Sequence, residues 1–199
     1  MKAMVFRQLN SGTCKTYQIG SEKSKETILI DPLLVFVHGY LDMLKKEGWK
    51  LSHVMDTHTH ADHISGCAAL RKETGAKYVM HRNTNVKCVD LGITESDKLK
   101  VGDITLRFLH TPGHTRDSVT ILMDDCILTG DFLFIGQGGI GRTDLPGGDP
   151  GDQYDSLQKL KTLDGSLLVY PAHDYHQKTH STLDQERKDN EHLKPHSRE

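Results

Sequence analysis

Thr57-His58-Thr59-His60-Ala61-Asp62-His63-Ile64-Ser65-Gly66 is the stretch on which the reading of this chain turns. It follows an apolar run, His53 to Asp56, that reads as a strand, and it leads into a helix expected over Ser65 to Thr74. Four side chains able to hold a metal, His58, His60, Asp62 and His63, fall within six residues, a concentration that core packing does not call for. In extended backbone, alternate residues share a side, so His58 and His60 are expected to converge on one ion. The turn into the helix would then carry Asp62 and His63 to a neighbouring position. A metal-binding loop between a strand and a helix is the first conclusion.

Such a site needs ligands from elsewhere, and the chain offers them where loops leave strands. His114 stands in His110-Thr111-Pro112-Gly113-His114-Thr115, where the Pro-Gly pair turns the chain after a strand. Asp131 ends Thr129-Gly130-Asp131, and His173 lies in Tyr170-Pro171-Ala172-His173-Asp174-Tyr175, each again at a strand end. A lone histidine or a Gly-Asp turn is usually structural. Three of them in equivalent positions make a constellation.

Around these motifs the pattern is that of many short strands with fewer helices. Strands are expected over Met4 to Leu9, Thr16 to Ile19, Thr27 to Ile30, Lys77 to His81, Ile104 to His110, Ser118 to Met123, Cys126 to Thr129 and Leu167 to Tyr170. Further helices are expected over Val35 to Glu47, Gln153 to Leu163 and Ser181 to Asn190. The middle one has Asp152 as its cap and Tyr154, Leu157 and Leu160 on one face. Strands in two batches, each interleaved with helices, predict an α+β layered sandwich. The 199 residues are expected to form one domain, 1–199, at a soft prior of ~150 residues per domain.

Composition narrows the function classes. Twenty-five Lys and Arg stand against 27 Asp and Glu, a net charge of −2, which argues against nucleic acid or an anionic membrane as the partner. The apolar run Leu33 to Val37 is far too short to span a bilayer, and Met1 to Arg7 breaks into charge before a signal-peptide core could form. Cys14, Cys67, Cys88 and Cys126 are widely spaced with no Cys-x-x-Cys pair, which fits a reducing, cytoplasmic setting.

The order His58-x-His60-x-Asp62-His63, His114, Asp131, His173 resembles the ligand set of the metallo-β-lactamase-fold superfamily, over nearly the whole chain. The resemblance implies a four-layer αββα sandwich with the metal site along one edge of its two sheets. Transferred by position, it implies one site at His58, His60 and His114, and another at Asp62, His63 and His173, with Asp131 between them. Within the superfamily the chain is most similar to persulfide dioxygenases, with glyoxalase II next. The choice rests on Asp56 to Gly66, on Gly141-Arg142-Thr143-Asp144, and on Tyr170 to His176 followed by Ser181-Thr182 and Glu186-Arg187. Glyoxalase II adds a helical C-terminal domain, whereas only residues 174–199 follow His173 here. Two features depart from the dioxygenase pattern: Ile140 stands where that family usually has Cys, and the loop containing Gly136-Gln137-Gly138-Gly139 is about two residues longer.

The dioxygenase resemblance implies one Fe(II) per chain on a facial triad of His58, His114 and Asp131, which leaves open positions for a persulfide sulfur and O2. His60, Asp62, His63 and His173 would then orient ligands and solvent. Glutathione persulfide is the implied substrate, gripped by Arg142 and Tyr175, with sulfite and the free thiol as products. The rival is a hydrolase with two Zn(II), acting on a glutathione thioester or lactone through a metal-activated water, with the same residues as ligands. A metal-holding sensor without turnover is a third class, disfavoured by the open glycine-rich loop beside an intact ligand set. A nuclease of this fold would need a basic surface, and none is visible. A homodimer is allowed by the resemblance.

Overall fold

Strand β3 (Glu26–Ile30) carries the plan of the molecule in three residues. Ile28 and Ile30 enter an apolar layer shared with Leu106, Phe108, Ile121 and Leu128, whereas Leu29 lies among Tyr40, Leu44 and Leu70. Side chains alternate across a strand, so a strand apolar at consecutive positions must be covered on both faces. The structure, a computed structural model that describes residues 4–175 and 178–194, provides both covers. His176 of the C-terminal signature and the first three residues of the Met1 to Arg7 segment lie outside the described residues.

One six-stranded sheet runs β1 (Met4–Gln8), β2 (Tyr17–Ser21), β3, β4 (Lys50–Met55), β5 (Lys77–His81), β6 (Leu91–Ile93). Its first three strands are antiparallel and the rest parallel. The second sheet contains β7 (Lys98–Val101), β8 (Ile104–His110), β9 (Val119–Leu122), β10 (Cys126–Gly130), β11 (Leu168–Pro171) and β12 (Ser181–Thr182), neighbours in that order. Only β10 and β11 pair in parallel there. Helices α1 (Val37–Glu47) and α2 (Cys67–Thr74) cover the first sheet through Val37, Leu44, Cys67 and Leu70. Helices α3 (Pro150–Leu160) and α4 (Leu183–Asp189) cover the second through Leu157, Leu160 and Leu183 against Ile127 and Val169. The layers are therefore αββα, as expected from the sequence.

Several boundaries differ from the sequence reading for identifiable reasons. Leu34–Phe36 form a 3-10 turn, so α1 begins at Val37 rather than Val35. It ends at Gly48 and α2 at Gly75, both with φ above +70°, a backbone region open to glycine at little cost. Helix α3 starts three residues earlier than expected: Asp149, not Asp152, is the cap and accepts from the Asp152 N–H at 2.8 Å, with Pro150 in the first helical position. Gln153 takes a buried place on that helix where Tyr154 was expected, because its amide donates to the Phe132 carbonyl at 2.9 Å. Ser181 and Thr182 pair with β11 before α4 begins, and the Thr182 hydroxyl caps it. Strands β6 and β7 were not expected at all.

The active edge follows from the topology. Residues 56–66 leave β4, 111–118 join β8 to β9, Asp131 follows β10, and His173 lies two residues beyond β11. The Val119 N–H donates to the Thr57 carbonyl at 2.9 Å, which ties the two sheets together at this end.

Candidate metal centre

Two buried carboxylates hold the histidine loop in place. Asp31, at the end of β3 with φ +51°, accepts from the Thr57 N–H at 2.7 Å and the Thr57 hydroxyl at 2.8 Å. Asp117 accepts from the Thr59 N–H at 3.2 Å, the Thr59 hydroxyl at 2.5 Å and the Thr115 hydroxyl at 2.7 Å. In the loop so held the two rings stay adjacent: the His58 and His60 centroids lie 4.2 Å apart, and His60 Nδ1, like His58 Nε2, is buried with no hydrogen-bond partner. His60 turns toward Asp31 at 3.2 Å and Asp56 at 3.5 Å, all deep in the protein. Burial opposes a charge on His60, but hydrogen bonds to Asp31 and Asp56 prevail and raise its pKa well above the ordinary value. Asp31→Asn, which keeps the shape and removes the charge, should cost ~2–3 kcal/mol in chemical denaturation. A midpoint equal to the unchanged protein's would remove this network from the account of the loop.

His58, His114 and Asp131 do come together: one ligand atom from each lies within 4.8 Å of the others, and all three residues are buried. His58 Nε2 sits 3.7 Å and His114 Nε2 3.9 Å from Asp131 Oδ2. The tautomers follow from the hydrogen bonds. The Thr57 hydroxyl gives its hydrogen to Asp31, so at 3.0 Å it can only accept from His58 Nδ1–H. His114 Nδ1 faces the Arg142 carbonyl at 2.7 Å, which likewise only accepts. Both rings thus present a bare Nε2 toward the Asp131 carboxylate. His58 Nε2 is buried with no hydrogen-bond partner, and burial together with His60 and His114 drives the ring's pKa well below its usual value. A neutral, orphaned, inward-facing imidazole nitrogen is costly unless a cation takes its lone pair. The residues fit a divalent metal.

His173 does something different. Its Nδ1 donates to Asp131 Oδ1 at 2.5 Å and its Nε2 to Asp62 Oδ2 at 2.9 Å. Burial disfavours its charge, yet these two carboxylates push its pKa up to about 11, an imidazolium bridging both acids. Asp62 Oδ2 also accepts from His63 Nδ1 at 2.9 Å and from the Cys14 thiol at 3.4 Å. Burial raises the Asp62 pKa, but the bonds from His173 and His63 hold it far below the usual carboxylate range. Asp62, Asp131 and His173 also meet within 4.8 Å, as do Cys14, Asp62 and His63.

Gly141 explains part of the Gly-Arg-Thr-Asp segment. A Cβ there would lie 2.0 Å from the Asp131 carbonyl and 2.9 Å from His114 Nδ1, so only glycine lets the Arg142 carbonyl reach His114. Gly141→Ala should therefore weaken metal binding by roughly 10–100-fold, read by competition with a chelator. An unchanged affinity would show that the Arg142 carbonyl does not set the His114 ring.

The mouth of the site is lined by Asp62, His114, Phe134, Arg142, Leu145 and Tyr175, among others. Arg142 and Tyr175 thus both reach it, but the Arg142 guanidinium is already engaged in two bonds to Asp144, at 2.6 and 2.5 Å. Tyr175 stacks on His173 with ring centroids 5.9 Å apart, and Phe134 meets Tyr175 edge-on at 5.5 Å. The sequence reading missed Asp31, Thr57, Asp117, Cys14 and Phe134. Asp31 had a signal, a carboxylate directly after an apolar strand and before Pro32.

The sequence profile of the Metallo-beta-lactamase superfamily matches residues 13–173, a span that contains every candidate metal ligand of this centre. The chain belongs to that superfamily. Among its relatives is "Persulfide dioxygenase ETHE1, mitochondrial" of Mus musculus, 41% identical over 176 residues that make up 86% of this chain and 68% of the relative. "Hydroxyacylglutathione hydrolase" of Rhodopseudomonas palustris (strain BisB5) is 36% identical over 137 residues, 66% of this chain and 52% of that protein. The crystal structure of ETHE1 from Myxococcus xanthus superposes with a TM-score of 0.92 and 40% identity, covering 98% of this chain and 87% of that one. Several chemistries share these residues, so the fold alone does not choose among them.

Proposed function

We propose that this chain is a persulfide dioxygenase that oxidises glutathione persulfide with O2 and water to sulfite and glutathione, as one catalytic domain over 1–199. Its metal would be one Fe(II) per chain, held by His58, His114 and Asp131. The observation that carries this reading is the pair of Nε2-facing histidines around Asp131, with His60 Nε2 engaged by Asp31 and Asp56. Two imidazoles and one carboxylate suit non-haem iron with open positions. The relatives named persulfide dioxygenase support the same reaction.

Bound there, iron would supply the redox chemistry that joins oxygen to sulfur. The protein's own residues prepare the rest. Thr57 and the Arg142 carbonyl keep His58 and His114 in the ligating tautomer. His173 takes one oxygen of Asp131 and leaves the other facing the two histidines. The imidazolium of His173 also lines the mouth, where its positive charge favours a thiolate only as far as Asp62 and Asp131 leave it unbalanced. Asp62 and His63 hold His173 in place. Tyr175 and Phe134 form an aromatic wall for the thiol, and Arg142 joins the substrate contacts when a carboxylate displaces Asp144.

A two-zinc hydrolase of glutathione thioesters remains the second reading, favoured by the group Asp62, Asp131 and His173 and by the hydroxyacylglutathione hydrolase relatives. Anaerobic purification with metal analysis, then oxygen uptake on glutathione persulfide, separates the two. About one iron per chain and persulfide-dependent oxygen uptake are expected. Two zinc ions per active chain with thioester hydrolysis would overturn the dioxygenase assignment. No helix among the described residues is long and apolar enough to cross a membrane. Four free cysteines support a reducing, cytoplasmic location.

A further inference from the structure

A second cleft, of about 530 Å³, is lined by Gly136, Gln137, Lys178, Lys188, Asp189 and Lys194. It adjoins the metal centre along the chain. Gly136 is two residues from Phe134, and Lys178 three from Tyr175, a separation that cannot exceed ~11 Å even in a fully extended chain. The floor is built, not loose. The Gly136 N–H donates to both oxygens of the buried Glu186, at 3.0 and 2.8 Å. The buried Asn190 amide donates to the Gly139 carbonyl at 3.0 Å and the Phe134 carbonyl at 3.4 Å. Gly136 and Gly139 have φ of +61° and +72°, and a Cβ on Gly136 would come within 3.3 Å of the Lys178 ammonium. The glycine loop thus brings bare backbone at Gly136 to the cleft beside Lys178.

The rim is mostly cationic. Three lysines line the cleft against Asp189, which already accepts from Gln185 at 2.8 Å, while the Glu186 carboxylate beneath the floor is buried and taken up by the Gly136 N–H. Lys194 pairs with Glu191, whereas among the described residues Lys178 and Lys188 have no ion pair. Meanwhile Arg142, a cation at the mouth of the metal centre, is held by Asp144, whose carboxyl it lowers to about 2.

We propose that this cleft is a subsite for the anionic end of the thiol, with Lys178 and Lys188 as its specificity-determining residues and Lys194 in support. It rests on the dioxygenase reading for the presence of a thiol at the metal. The chemistry it selects is a tail bearing two or more anionic groups, on a thiol whose sulfur lies near Asp131. Two kinds of thiol have such a tail, a peptide thiol with carboxylates and a nucleotide thiol with phosphates.

The test is calorimetric binding of two inert ligands to the metal-loaded protein, S-methylglutathione for the carboxylates and S-methyl-coenzyme A for the phosphates. Oxygen uptake on a persulfide is measured in parallel. Lys178→Gln with Lys188→Gln, both exposed substitutions, should raise Kd for at least one ligand roughly tenfold, and more than Arg142→Gln does. The ligand that responds identifies the tail. Equal Kd in the double variant and the unchanged protein for both ligands, or no binding by the unchanged protein, would overturn the subsite. A tenfold loss of binding in a protein that never takes up oxygen would leave the subsite standing and remove the dioxygenase reading instead.

Discussion

His114→Ala and Asp131→Ala should each yield a folded protein with almost no bound iron and no persulfide-dependent oxygen uptake. Each variant removes one of three groups whose ligand atoms lie within 4.8 Å of one another. Two remaining ligands are too few to hold a divalent ion on a triad. Asp131→Ala has a second effect, because His173 loses its 2.5 Å partner and keeps only Asp62. Folding should survive in both cases. The apolar layer between the sheets, Ile28, Ile30, Leu106, Phe108 and Ile121 among it, contains neither residue, so the loss should stay within ~2–3 kcal/mol. Metal analysis and circular dichroism on the same samples decide the matter. Wild-type iron content in both variants would sink the triad.

Asp62→Asn should separate the two chemistries that this superfamily site allows. With iron on His58, His114 and Asp131, Asp62 touches no metal and acts by accepting from His63, His173 and Cys14. The asparagine variant should then keep about one iron per chain, with oxygen uptake weakened roughly 10–100-fold because His173 is no longer held between two carboxylates. In a two-zinc hydrolase Asp62 is itself a ligand, and the same change would remove one of two metals and the water they activate. Halved metal content with lost thioester hydrolysis would decide for the hydrolase.

The sandwich and the ligand set were legible because both depend on local pattern. Strands such as Thr27 to Ile30 announce themselves by consecutive β-branched and apolar residues, and the histidine motif by ligands too dense for a packed loop. Short β6 and β7 were missed, since three or four residues carry little periodicity. The cap of α3 was misplaced by three residues, because Asp149 and Asp152 both suit a cap and only the backbone trajectory chooses.

The sequence by itself determined which side chains are available to the site and at which strand ends they emerge. Spacing alone pointed to His58, His60, Asp62, His63, His114, Asp131 and His173 as one constellation. Tertiary structure decided how they divide. Alternation predicted that His58 and His60 lie together, and their rings are 4.2 Å apart; Asp31 and Asp117, from the end of β3 and from the β8–β9 connection, hold the loop and give His60 Nε2 a carboxylate partner. Arg142 looked like a free carboxylate clamp until Asp144, two residues on, was found in its fork. The lysines of the second cleft are scattered from 178 to 194 and gain meaning only where α4 and the glycine loop meet. Hydrogen-bond direction, and with it the tautomer of each histidine, is set by partners distant in the chain or by a neighbour's other bond. Buried polar groups must be satisfied by whatever the fold brings within about 3 Å, and that is a property of the packed molecule rather than of any segment of it.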